Sequence, residues 1–83
     1  MIRIDLPADL HFEDDEGNNL ARLTGAAEPA RMTPGAVLVA GSADAWTWAQ
    51  VVAVADGWVH YRQLTTAEAA VLANLVEPLS ATA

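Results

Sequence analysis

The chain has 83 residues, enough for one domain, and carries four arginines and no lysine against eleven Asp and Glu, a net charge of −7. That balance removes the positive field that nucleic-acid backbones and anionic lipid attract, so neither is an expected partner. The absence of cysteine excludes disulfide staples, thiolate metal sites and a Cys nucleophile. The longest uncharged stretch, Met32 to Ala43, is interrupted by Pro34, Gly35 and Gly41 and falls short of the roughly 18–20 apolar residues of a spanning helix. With no cationic-plus-apolar leader at Met1–Asp5, the expectation is a cytoplasmic protein with no membrane segment.

In chain order, Ile2-Arg3-Ile4-Asp5-Leu6 alternates apolar and charged residues, predicting a half-buried strand with Ile2, Ile4 and Leu6 inward that Pro7 stops. Leu10-His11-Phe12-Glu13 repeats the alternation briefly. Glu13, Asp14, Asp15 and Glu16, followed by Gly17-Asn18-Asn19, read as a solvated loop, because adjacent like charges and turn-formers do not favour regular structure. Leu20 to Leu23 suits a return strand, although Asn19 as an N-cap and Gly25 beyond would also suit a helical turn. Thr24 to Pro34 has no period and reads as a surface connection.

Ala36-Val37-Leu38-Val39-Ala40 is a short apolar run between Pro34-Gly35 and Gly41-Ser42, which suits a buried strand. Trp46 to Ala55 is dense in Trp, Thr and Val, and Asp56-Gly57 follows, a pair that tolerates the positive φ of a two-residue type I′ turn. A hairpin closed there pairs Ala55 with Trp58, Val54 with Val59, Val52 with Tyr61 and Gln50 with Gln63. Trp48, Val52, Val54, Val59 and Tyr61 would then face the core, and Ala49, Val51, Ala53, Trp58, His60, Arg62 and Leu64 the opposite side. With so much alanine in the chain, the three tryptophans, Tyr61, Phe12 and the branched aliphatics are expected to carry the core. Thr65-Thr66-Ala67-Glu68 matches a capping box and opens a helix whose stripe is Leu72, Leu75, Val76 and Leu79, with Pro78 ending it near Glu77. The domain is expected to span 1–79, with a disordered tail at 80–83.

Motifs of catalysis and metal binding are missing. Aligning Gly17 with the glycine of a calcium loop puts Phe12 at the first ligand position and leaves no glutamate at the twelfth. His11 and His60 are the only imidazoles, too few for a three-histidine centre. There is no G-x-S-x-G, Gly-rich phosphate loop or zincin motif. The expectation is a protein that is not an enzyme, with no catalytic residue, cofactor or metal.

The run Pro34 to Gly41, followed by Trp48-Ala49-Gln50-Val51-Val52-Ala53-Val54 and a strand after Gly57, resembles the strand–loop–strand–turn–strand middle of SH3-like small β-barrels of the KOW and Tudor kind, over residues 34–64. The resemblance implies binding of proteins, RNA or modified side chains rather than catalysis. The chain lacks the basic residues of the nucleic-acid-binding members.

The sequence therefore predicts a mainly β domain: a small open antiparallel barrel of about five strands with one C-terminal helix over a mouth or edge. The expected function is a small acidic protein-interaction module for a partner with a basic surface. Its contact residues would be Trp58, His60 and Arg62 on one strand face and Glu13, Asp14, Asp15 and Glu16 in the acidic loop. The same features suit an acidic inhibitor of the immunity-protein or antitoxin type, or a homodimeric accessory subunit using its helical stripe or a sheet edge.

Overall fold

The computed structural model describes residues 3–76, and side-chain environments through residue 73. Five strands, β1 (Leu6–Pro7), β2 (Asn19–Arg22), β3 (Val37–Gly41), β4 (Trp46–Ala55) and β5 (Trp58–Leu64), form one sheet in the order β1-β3-β4-β5-β2, and a helix α1 (Thr66–Val76) follows. The sheet curls until its edge strands β1 and β2 touch, giving a nearly closed barrel. All neighbours are antiparallel except β1 and β3, which run parallel, so the sheet is mixed.

The β4–β5 hairpin turns at Asp56 and Gly57, whose φ angles of 53° and 81° are both positive, as a type I′ turn requires. Ala55 pairs with Trp58 and Val54 with Val59, as the dipeptide predicts. Beyond that the register departs from expectation. Ala53 pairs with His60 and Val51 with Tyr61, leaving Val52 as the extra residue of a β-bulge, so that Gln50 meets Arg62 rather than Gln63.

An odd insertion exchanges the two faces of the strand beyond it. Ala49 and Val51 are therefore buried in the core beside Val59 and Tyr61, while Val52, expected inside, is 42% exposed. The core cluster is completed by Leu6, Ala21, Ala26, Met32, Leu38 and Ala40. Large aromatics contribute less than expected: Tyr61 is fully buried, but Phe12 and Trp46 are 47% and 40% exposed.

A second apolar row lies on the other side of the sheet, where Val39, Trp48 and Leu64 are aligned partners across β3, β4 and β5. Helix α1 packs against these three strands and buries Ala69, so it covers a sheet face. The capping box forms as expected, the Thr65 amide donating to Glu68 Oε1 (2.9 Å) and the Glu68 amide to Thr65 Oγ1 (3.1 Å). Donation from the Thr65 amide, helped by the Thr65 hydroxyl, holds the Glu68 carboxyl below its usual range. The positions of Ile2, Pro78 and the tail 80–83, and the side chains of Leu75, Val76 and Leu79, lie outside the described residues.

Strand β1 is shorter than the alternating pattern implies. At Asp5 the backbone amide donates to Val39 O (3.0 Å), but the return bond from the Val39 amide goes to the Asp5 carboxylate (2.9 Å), so a side chain replaces the next ladder carbonyl. Residues 24–34 are also more than a surface connection. They form two 3₁₀ turns, Leu23–Gly25 and Pro29–Arg31, and bury Ala26 and Met32.

Candidate functional site

Alternation along paired β2 and β5 sorts their side chains cleanly. Asn19 with Tyr61 and Ala21 with Val59 face inward and are buried, whereas Leu20 with His60 and Arg22 with Trp58 face outward. Residues 10–13 then cross the free edge of β2: the Leu20 amide donates to Phe12 O (3.0 Å), and the buried Asn19 Nδ2 donates to Leu10 O (2.7 Å). This crossing lays Phe12 over the outward face. Its ring centroid is 5.8 Å from that of Trp58, inclined at 52°, and the Arg22 guanidinium carbon sits 4.4 Å from the Trp58 ring centroid.

The acidic loop folds onto the same face and is more ordered than four adjacent carboxylates suggest. Asp14 Oδ1 accepts the amides of Glu16 (2.8 Å) and Asn18 (2.9 Å), forming a tight turn that Gly17 completes with φ 83°. Asp14 Oδ2 is 2.8 Å from His60 Nδ1, with the two side chains 12% and 26% exposed. Because an ionised carboxylate only accepts, His60 Nδ1 carries the proton and donates it. The hydrogen bond from His60 is the main reason that the Asp14 carboxyl lies below its ordinary 3.8; partial burial opposes it, and the Glu16 and Asn18 amides add to it. Asp14 thus serves as the pin of the loop, leaving Glu13, Asp15 and Glu16 exposed.

The structure brings Trp58, His60 and Asp14 into one cluster and adds Phe12, Arg22 and Leu20, which the sequence reading did not assign to a site. Arg22 could have been found only from the β2–β5 register, and Phe12 only from the path of the chain across the β2 edge. Arg62 follows His60 on the outward side of β5, but its contacts run to β4 and the helix. Its Nε and Nη2 donate to Gln50 Oε1 (3.0 and 2.7 Å), and its Nη1 is 3.9 Å from Glu68, so it borders the helix.

A histidine oriented by a carboxylate is also the geometry of a general base. Among the described residues, no hydroxyl is hydrogen-bonded to the His60 ring, and two cavities of the fold are lined by neither His60 nor Asp14. One of these, of about 460 Å³, lies beside Asp5, Glu28, Arg31, Met32 and Leu38. The other is an open groove between Arg62 and α1. No described group of three or more His, Asp or Glu side chains is disposed to hold a metal ion, and no described helix is long and apolar enough to cross a membrane. Comparison with family models, curated proteins and solved structures finds no match for this chain.

Proposed function

We propose that this chain is a small acidic, non-catalytic interaction module, which docks reversibly on a partner with a basic surface through the outward face of β2 and β5. The supporting observation is the Asp14–His60 pin. It anchors the acidic loop to the face that carries the partly exposed Phe12–Trp58 pair, so that the exposed carboxylates of Glu13, Asp15 and Glu16 stand on a loop tied to the strand of that aromatic platform. An aromatic patch with a charged loop on the same face suits a protein contact surface, and the −7 net charge would accelerate encounter with a basic partner. The nearly closed five-stranded sheet is consistent with an SH3-like frame of the KOW or Tudor kind, and the lack of cysteine with a cytoplasmic setting.

The test is affinity capture from a native lysate with wild type, Trp58→Ala, and a loop variant carrying Glu13→Gln, Asp15→Asn and Glu16→Gln, each checked for folding by circular dichroism. A partner lost with both variants supports the reading; partners unaffected by either overturn it. The same surface would serve an acidic inhibitor covering a basic active site, in which case the captured partner is an enzyme that the chain inhibits.

A further inference from the structure

The four arginines of the chain do not share one environment. Arg3 approaches Asp5 and Glu28, Arg31 pairs with Glu28, and Arg62 reaches Glu68. Arg22 has no carboxylate within ion-pair distance among the described residues, although acidic residues outnumber basic ones eleven to four. It lies instead on the face of Trp58, at 4.4 Å. That face attracts cations through the ring quadrupole, and Phe12 borders it at an inclined angle. Exposed Glu13, Asp15 and Glu16 stand on the loop that Asp14 pins to the neighbouring His60, raising the local concentration of any incoming cation.

We propose that Arg22 is a resident occupant of the partner's own cation subsite: a basic segment docks by placing an Arg or Lys side chain on the Trp58 ring, displacing the Arg22 guanidinium. This rests on the interaction-module reading above and identifies the occupant as an extended basic peptide, chosen because the rim is acidic and the ring already holds a guanidinium. The displaced Arg22 swings into solvent, and its departure subtracts from affinity. Arg22 thereby sets a threshold that a peptide of scattered single charges would not pass and a dense basic segment would.

The experiment titrates a peptide of alternating Arg and Gly into wild type, Arg22→Met, Arg3→Met and Trp58→Leu, with binding read by calorimetry and Arg22 followed by NMR. Arg22→Met keeps the apolar stem against the ring, and Arg3→Met makes the same change in net charge elsewhere. The expected result is affinity about two- to fivefold higher in Arg22→Met than in Arg3→Met, following the usual strength of exposed cation–π contacts. Trp58→Leu removes the incoming and the resident contact together, so its affinity should lie near that of wild type and below that of Arg22→Met. In wild type the Arg22 side-chain protons, shielded by the ring in the free protein, should move to unshielded positions at saturation.

Equal affinities for Arg22→Met and Arg3→Met, or Arg22 protons that stay shielded in the complex, would overturn the displacement while leaving the acidic docking surface standing. No binding by wild type or Arg22→Met, with the fold intact, would remove both.

Discussion

Tyr61 offers a test of the interior that the composition makes unusually clean. Its side chain is fully buried, and its Oη has no hydrogen-bond partner among the described residues. A buried hydroxyl left unpaired costs about 1–3 kcal/mol. Replacing Tyr61 with Phe removes that cost and loses only the contacts of one oxygen, so the variant should be more stable by about 1 kcal/mol. For a domain of this size that raises the Tm by roughly 4–8 °C. The alkaline limb supplies an independent reading. Burial, helped by the negative charge of Asp9, pushes the Tyr61 hydroxyl up from 10.0 to about 12. Below pH 10 both folded and unfolded chains keep the phenol proton; between pH 10 and 12 the unfolded chain releases it and the folded chain holds it, so stability falls as pH rises. The full loss corresponds to roughly 2.7 kcal/mol, at about 1.36 kcal/mol per pKa step. With one tyrosine, no lysine and no cysteine, no other side chain titrates in that window, because arginine stays protonated. Denaturant unfolding from neutral pH to pH 12 should show the decline in wild type and its absence in Tyr61→Phe. A Phe variant less stable by more than about 1 kcal/mol, or tyrosinate absorbance that rises near pH 10 in the folded protein, would refute the unpaired, buried hydroxyl.

Three further outcomes follow from the geometry. Val51→Ala should cost about 1.5–3 kcal/mol in urea unfolding, whereas Val52→Ala should stay within about 0.5 kcal/mol of wild type, because the bulge buries the first and exposes the second; the reverse order would restore an unbroken register. Gly41→Ala should destabilise by about 2–4 kcal/mol by thermal melting, since Gly41 has φ 123° and an added Cβ would lie 2.8 Å from Trp46 Cα and closer still to Ala45 O. Asp14 lies below its ordinary 3.8, so its contribution is complete above that pH and is lost as pH falls through the lower folded value. Asp14→Asn should therefore be less stable than wild type at neutral pH, with the difference shrinking in acid; an unchanging difference from pH 7 to pH 2 would show that ionisation of Asp14 plays no part in pinning the loop.

What could be read from the residues alone were the features fixed by neighbours in the chain. The Asp56-Gly57 turn depends on backbone conformations that those two residues tolerate, and the Thr65–Glu68 capping box closes within one helical turn. The strand from Trp46 to Ala55 follows from its run of Trp, Thr and Val, and the charge of the surface from simple counting.

The bulge at Val52 was barely legible, because Ala49, Val51 and Ala53 are about as apolar as Trp48, Val52 and Val54, and Gln50 is the one residue between them whose polarity favours the observed register. Only packing against the opposing strands decided which valines entered the core. The candidate surface was half legible: outward orientation of Trp58 and His60 follows from the turn, but the partners that define the site come from elsewhere. Asp14 reaches His60 across a separation of 46 residues, and Phe12 reaches Trp58 only because the chain crosses the β2 edge. Contacts of that range are absent from any local pattern; they arise when the sheet curls and its loops are forced to find room on its outer face.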